Sequence, residues 1–145
     1  MANIIVIANQ KGGVGKTTTS INLAAALAEI GKKTLLVDLD SQGNASSACG
    51  LNQDEISPTI YDLLMGEAQA KECIKRSKED GFDIIPSNRD LMAAEIQLLE
   101  LDERELVLKK ALENVTDLYD FIIIDSPPSM NILTLNALSF AKNLI

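Results

Sequence analysis

The chain has 145 residues, which is the size of a single domain that can bury a substantial core. Hydrophobic residues make up 46% and aromatic residues 3%, a balance that favours helices packed on a parallel sheet. The net charge of −8 argues against nucleic-acid binding by overall charge, two cysteines are too few for a disulfide scaffold, and the absence of histidine from the sequence excludes histidine chemistry. We expect a cytoplasmic protein with no signal peptide and no membrane-spanning segment, because no stretch approaches ~20 apolar residues.

The first motif is a Gly-rich loop at residues 10–19, between a predicted strand at residues 4–8 and a predicted helix at residues 20–30. Glycines let successive main-chain N–H groups turn toward one point, and a helix N-terminus adds further N–H groups, so this arrangement binds phosphate. Lys16 adds a positive charge for the outer phosphates, and the Thr17 hydroxyl is a ligand for Mg²⁺.

The loop departs from the common pattern G-x-x-x-x-G-K-[ST], because Gln10 stands at the place of the first glycine and Lys11 adds a second lysine. This form resembles the deviant Walker A motif of the ParA/MinD group of ATPases. In that group the first lysine reaches the nucleotide of the partner subunit across a dimer interface. The alternative is a Gly-rich turn with two surface lysines, which the flanking strand and helix disfavour.

The second predicted strand, residues 34–40, contains Asp38 and ends in Asp40 at the edge where parallel sheets place their ligands. We expect only one of the two carboxylates to face the phosphates. The polar segment at residues 41–47 is predicted to be a flexible loop that responds to a γ-phosphate, the alternative being a plain surface connection.

The middle of the chain is predicted to contain a short helix at residues 60–65, a helical segment at 68–78 and a strand at 82–86. The second segment contains a basic cluster, which is interpreted as a solvated helix face and consists of Lys75, Arg76 and Lys78. Ser87 is predicted to cap a helix with Asp90. The predicted buried stripe of that helix, which precedes another helix starting near residue 102, consists of Leu91, Met92, Ala94, Ile96, Leu98 and Leu99.

The apolar run at residues 119–125 ends in Asp125 and has the form of a Walker B strand, which would hold Mg²⁺ opposite Thr17. Two prolines, Pro127 and Pro128, then predict a stiff turn, because each fixes φ and removes a donor. A helix is predicted at residues 131–142. The last residues, 143–145, have the pattern of another strand, and we therefore expect a truncated chain.

Together the motifs at residues 9–19, 37–46 and 120–128 resemble the ParA/Soj family of chromosome- and plasmid-partitioning ATPases along the whole chain. The resemblance implies an α/β P-loop NTPase fold, with a mostly parallel sheet and helices on both faces. Residues 1–145 would be the N-terminal part of one ATPase domain, incomplete at its C-terminus. It implies nucleotide binding by eight loop residues, which are Lys11, Gly12, Gly13, Val14, Gly15, Lys16, Thr17 and Thr18.

The resemblance also implies roles in ATP hydrolysis within a nucleotide-sandwich dimer. Lys11 would act across the interface, Asp40 would position the attacking water, and Asp125 would hold the metal through its water shell. The implied catalytic residues are thus Lys11, Asp40 and Asp125, and the implied metal site is Thr17, Asp125 and Asp40, with ATP and Mg²⁺ as cofactors. This sequence departs from the family's pattern in two ways: Ser41 stands where proline is common, and the C-terminal half of the family's domain is expected to be missing.

The partners that the resemblance implies are a second copy of the chain, a ParB-type centromere-binding protein and non-specific DNA, with no membrane. DNA contacts would lie mainly in a C-terminal half beyond residue 145, and the protein would associate with the nucleoid. A membrane-associated positioning ATPase like MinD and a fragment that is inactive on its own are the alternatives. A redox protein like the nitrogenase iron protein is disfavoured, because Cys49 and Cys73 lie upstream of the expected cluster ligands.

Overall fold

The computed structural model describes residues 2–8, 14–76, 81–141 and 143–144, excluding the side chains of Val14, Lys16, Asn143 and Leu144. Its strands in chain order are Asn3–Ile7 (β1), Thr34–Asp38 (β2), Lys75–Arg76 (β3), Asp83–Ile85 (β4), Phe121–Asp125 (β5) and Asn143–Leu144 (β6). Its α-helices are Val14–Glu29 (α1), Asn44–Ala48 (α2), Ile60–Leu64 (α3), Ala70–Cys73 (α4), Leu91–Gln97 (α5), Val107–Leu112 (α6) and Ile132–Phe140 (α7). Single 3₁₀ turns occupy Leu98–Glu100, Arg104–Leu106 and Thr116–Leu118.

The strands form one sheet in the order β3-β4-β2-β5-β1-β6. All neighbouring strands are parallel except β3 and β4, which are antiparallel. The central register places Asp38 of β2 beside Asp125 of β5, and Asp125 beside Ile7 of β1. The carboxyl ends of three central strands therefore meet at one edge of the sheet, here called the carboxyl edge.

Apolar residues alternate between the two faces of the sheet, as the two-residue period of a strand requires. One core contains Leu35 and Val37 of β2 and is covered by α3, α5, α6 and α7. The other contains Leu36 of β2 and Ile123 of β5 and is covered by α1 and α2. The predicted α/β architecture, with a mostly parallel sheet and helices on both faces, is confirmed.

Helix α1 begins at Val14, six residues before the predicted start at residue 20. Residues 14–19 therefore belong to the helix, and Thr17 and Ser20 lie three positions apart on one helical face. The prediction assigned residues 14–19 to the Gly-rich loop of the motif, and their glycine and β-branched threonines do have low helix propensity. Packing of α1 against the sheet overrides that local preference.

The prediction of a helical segment over residues 68–78 is wrong at residues 74–76. Helix α4 ends at Cys73, and Lys75 and Arg76 form β3, which pairs antiparallel with β4. Lys78, the third residue of the predicted basic cluster, lies outside the described residues. A two-residue edge strand has too little periodicity to be recognised without its partner strand.

The predicted buried stripe of α5 is half correct. Leu91, Ala94 and Leu98 are buried, as predicted. The other three residues are exposed, with Met92 at 57%, Ile96 at 71% and Leu99 at 52%. Sequence spacing assigned too wide an apolar face to this short helix.

Strand β6 bears out the prediction of a further strand at the end of the chain, since Asn143 and Leu144 pair in parallel with Ile5 and Val6 of β1.

Among the helices in the described ranges, none combines the length and apolar character that crossing a bilayer requires.

Candidate nucleotide and metal site

Asp125 is the central carboxylate of the carboxyl edge. It is the last residue of β5 and is fully buried. The Thr17 hydroxyl donates to its Oδ2 at 3.3 Å, and the Ser20 hydroxyl donates to its Oδ1 at 3.0 Å. The first turns of α1 and the end of β5 are therefore joined through one buried carboxylate.

The predicted pair Thr17 and Asp125 is thus brought together by the structure, although 108 positions separate them. Ser20 was not predicted as a site residue. Its signal in the sequence is its position three residues after Thr17, which places both hydroxyls on the same face once the helix begins at Val14.

Asp38 lies beside Asp125 in the sheet and is also fully buried. Its Oδ2 accepts from the Ser46 main-chain N–H at 2.9 Å and from the Ser46 hydroxyl at 2.7 Å, while its Oδ1 accepts from the Asp40 N–H at 3.2 Å. Burial, and to a smaller degree the charge of Asp125, raises the pKa of Asp38 to about 7 against the lowering effect of these bonds. Asp38 is therefore held inside the site by neutral donors.

Asp40 follows β2 rather than ending it, because the strand stops at Asp38. Its Oδ1 accepts from the Gln42 N–H at 3.1 Å, and its carbonyl accepts from the Gly43 N–H at 2.9 Å and the Ser87 hydroxyl at 2.8 Å. The residue is only 6% exposed. Residue 40 is thus presented on a tight turn at the carboxyl edge.

The segment predicted as a flexible loop at residues 41–47 is a turn followed by helix α2. Gly43 makes this possible, because its φ of 64° lies in the left-handed region. A Cβ at this position would also lie 2.6 Å from the Gln53 side chain. Ser46, which the prediction placed in the loop, is a buried residue of α2.

Ser126 and Ser87 complete the polar edge, and neither was predicted to take part in the site. Ser126 donates to the Ile7 carbonyl through its N–H at 3.2 Å and its hydroxyl at 2.7 Å, so it joins the ends of β5 and β1. Ser87 is not the predicted helix cap, because α5 begins at Leu91 and the Ser87 hydroxyl points instead to Asp40. Short hydroxyl residues next to strand ends were the available sequence signal.

Of the eight predicted nucleotide-binding residues, Lys11, Gly12 and Gly13 lie outside the described residues, as do the side chains of Val14 and Lys16. Gly15, Thr17 and Thr18 lie in the first turns of α1, and Gly15 and Thr18 are exposed. A Cβ on Gly15 would meet nothing within 4 Å, so the space beside this residue is open. The described part of the motif is therefore a helix N-terminus next to buried carboxylates.

The donor set at this edge suits a hard divalent cation. Thr17 and Asp125 present a hydroxyl and a carboxylate oxygen, which are ligands that Mg²⁺ accepts. Within the described part of the chain, no group of three or more histidine, cysteine, aspartate or glutamate residues could hold a metal. Mg²⁺ commonly uses few protein ligands and completes its coordination with water and phosphate oxygens, so a sparse protein set fits this ion.

Comparisons with known proteins agree with this geometry. From residue 2 to residue 145 the chain matches the sequence profile of a family described as an AAA domain. It is 50% identical over 144 residues to the chromosome-partitioning ATPase Soj of Treponema pallidum, covering 99% of this chain and 56% of that protein. It is 48% identical over 145 residues to the chromosome partitioning protein ParA of Myxococcus xanthus, covering all of this chain and 51% of that protein.

Among solved structures, cobyrinic acid a,c-diamide synthase from Mycobacterium smegmatis, with a bound ATP analogue and magnesium, superposes with a TM-score of 0.96 at 40% identity. That match covers 99% of this chain and 59% of the other. The chain thus spans about half the length of the curated relatives it matches. The chain belongs to the AAA domain family, and over its whole length it is similar in sequence to about half of each of the ParA and Soj partitioning proteins.

Proposed function

We propose that the protein carrying this chain is a Mg²⁺-dependent ATPase that partitions DNA. The observation that carries the proposal is the pair Thr17 and Asp125, whose oxygens lie 3.3 Å apart beside the N-terminus of α1. A helix N-terminus attracts phosphate, and the two oxygens suit the cation that accompanies ATP. The similarity to partitioning proteins at 48–50% identity supports the biological role.

The residues divide the work of phosphoryl transfer between binding and positioning. Residues 11–18 bind the phosphates, with Lys16 as the principal charge. Thr17 and Asp125, with Asp40 nearby, hold Mg²⁺, which when bound neutralises charge that develops on the phosphates. Asp40 positions the attacking water, and Lys11 acts on the nucleotide of a partner subunit.

The assembly proposed is an ATP-bound homodimer that binds DNA without sequence preference and associates with the nucleoid. A ParB-type protein would stimulate hydrolysis. The net charge of −8 makes residues 1–145 a poor DNA-binding surface by charge, so we place the DNA contacts mainly in residues beyond 145. A membrane-directed positioning ATPase like MinD is the alternative within the same chemistry, and an inactive isolated fragment is the alternative for these 145 residues.

A second candidate activity comes from the Mycobacterium smegmatis structure, which is named a diamide synthase and matches at 40% identity. The higher identity to the partitioning proteins favours the first proposal. The two are separated by measuring whether ATP consumption requires cobyrinic acid and a nitrogen donor, as a synthase would, or responds to DNA and a ParB-type protein.

The test is a titration of the full-length protein with Mg·ATP and Mg·ADP, followed by melting temperature and phosphate release. A ligand that binds only the folded state stabilises it by about 2.7 kcal/mol at a hundredfold excess over its dissociation constant. We expect a shift with Mg·ATP that EDTA reduces and that Lys16→Ala abolishes. An equal shift in the Lys16→Ala variant, or no ATP turnover by the parent, would refute the proposal. The same titration of residues 1–145 reports whether this segment binds nucleotide alone.

A further inference from the structure

The Asp38 carboxylate accepts hydrogen bonds from both ends of the turn that contains Asp40. One carboxylate oxygen accepts from the Asp40 N–H at 3.2 Å. The other accepts from the Ser46 N–H at 2.9 Å and the Ser46 hydroxyl at 2.7 Å. A single fully buried side chain therefore bridges the start of the turn and helix α2.

The Ser46 hydroxyl makes two bonds of opposite direction, which no apolar side chain could replace. It donates to Asp38 at 2.7 Å and accepts from the Ser87 main-chain N–H at 2.9 Å. Ser46 is itself fully buried. The end of β4 is thus linked through one hydroxyl to the end of β2.

Ser87 is also bonded to the turn that contains Asp40, because its hydroxyl donates to the Asp40 carbonyl at 2.8 Å. Asp40 is consequently held through its N–H by Asp38 and through its carbonyl by Ser87. These three side chains, here called the Asp38 cluster (Asp38, Ser46 and Ser87), surround the main chain of the residue to which we assign the attacking water.

We propose that the Asp38 cluster is a set of positioning residues that orients Asp40 for ATP hydrolysis without contributing to ATP affinity. This inference rests on the proposed function, because it assumes that Asp40 positions the attacking water. A cluster of buried polar side chains lowers the stability of the fold relative to apolar packing, unless every polar atom in it makes its hydrogen bonds. Here each bond converges on one short turn, and a displacement of about 1 Å in such a group can reduce a rate about a hundredfold.

The decisive variant is Ser46→Ala in the full-length protein, measured for kcat and for ATP affinity separately. We expect kcat to fall by roughly ten- to a hundredfold while the dissociation constant of ATP stays within about twofold. Ser46→Thr keeps the hydroxyl and should restore most of the rate. Ser47→Ala is the matched control, because it removes an exposed hydroxyl of the same helix that accepts only from Gln53 in the described contacts.

A double variant distinguishes positioning of Asp40 from a general loss of packing. In the Asp40→Ala background, Ser46→Ala should lower the remaining turnover no further, since the residue that it positions is already gone. Ser87→Ala repeats the test from the other strand, and it replaces Ser46→Ala if thermal melting shows that the latter is unfolded.

Three results would overturn the inference. One is a kcat for Ser46→Ala and Ser87→Ala within twofold of the parent. Another is a loss of ATP affinity as large as the loss of kcat. The third is an additive loss in the double variant. ATP turnover by the parent protein, measured first, separates failure of this inference from failure of the proposed function.

Discussion

The two ends of the parallel strands hold their charged side chains in different ways. At the carboxyl edge, Asp38 and Asp125 are fully buried, and Asp38 is bonded by main-chain N–H groups and a hydroxyl. At the opposite, amino edge, Asp83 is bonded by a charged Arg76 at 3.4 Å and by the Tyr119 hydroxyl at 2.7 Å. The Arg76 side chain in that pair is 72% exposed.

At the amino edge, polar side chains join neighbouring segments of the fold. Asp120 accepts from the Lys33 N–H at 2.8 Å, which ties β5 to the connection before β2. Burial and the bond to Asp83 raise the pKa of Tyr119, so its hydroxyl stays protonated and continues to donate. A cavity of about 810 Å³ also lies at this end, against Ala2, Ile4 and Phe140, away from the carboxylates of the carboxyl edge.

The difference indicates where the chain tolerates an unfavourable arrangement of charge. Burying two carboxylates side by side costs free energy. The pKa of Asp38 is raised mainly by burial and to a smaller degree by the charge of Asp125, which is consistent with that cost. An exposed ion pair such as the one at the amino edge changes the free energy of unfolding very little. We therefore expect substitutions at the carboxyl edge to change chemistry and those at the amino edge to change stability only.

The largest expected effect is that of Asp125→Asn. The amide retains the shape but removes the negative charge that we assign to the metal, so turnover of ATP in the full-length protein should fall at least ~100-fold, or about 2.7 kcal/mol in the barrier. Asp83→Asn is the matched control at the amino edge and should leave turnover within about twofold. Phosphate release under saturating Mg·ATP measures both, and equal losses would remove the distinction between the edges.

Asp38→Asn is expected to change the pH dependence of stability. The Asp38 pKa is raised from 3.8 to about 7 in the folded chain, mainly by burial beside Asp125, so between these values the folded state keeps a proton that the unfolded state has lost. Its contribution to stability is therefore complete below about pH 4 and is lost as the pH rises through about 7.

Asparagine does not ionise in this range, so stability of the variant should decline less between about pH 4 and pH 7 than that of the parent. Urea unfolding at several pH values, in EDTA and without nucleotide, measures the two slopes. Parallel curves for the two proteins would show that Asp38 is not the group responsible.

Tyr119→Phe is expected to cost stability without affecting turnover. The substitution removes the 2.7 Å bond to Asp83 and leaves a half-buried carboxylate with one fewer donor, which costs about 1 kcal/mol. Urea unfolding measures this loss, and ATP turnover serves as the control. A reduction of turnover comparable to that of Asp125→Asn would contradict the assignment of the amino edge to structure.

Arg76→Ala is expected to have the smallest effect on stability among these substitutions. Its ion pair with Asp83 is largely exposed, and such pairs contribute about 0.5 kcal/mol or less. The effect should shrink further in 1 M salt, where screening is strong. A loss that is larger than that of Tyr119→Phe and independent of salt would show that Arg76 holds β3 in place by packing rather than by charge.

Much of the fold and the centre of the site were predictable from local patterns in the sequence. Three apolar runs separated by helical segments predict parallel strands, because only burial on both faces accommodates them. Two of those runs lead into acidic residues, which placed Asp40 and Asp125 at the carboxyl edge together with Thr17. These inferences needed only period, spacing and the rule that ligands gather where such strands end.

The remaining features were decided by contacts between distant parts of the chain. Ser46 and Ser87 meet across 41 positions, so their pairing depends on β2 lying next to β4. The pairing of Asp38 with Ser46 depends on the turn at Gly43, whose carbonyl accepts from the Gln53 side-chain amide at 3.2 Å. The sequence by itself determined which segments are buried and where acids end strands. Only the tertiary structure decided which hydroxyls reach those acids, because hydrogen bonds depend on register and direction, whereas burial depends on composition and period.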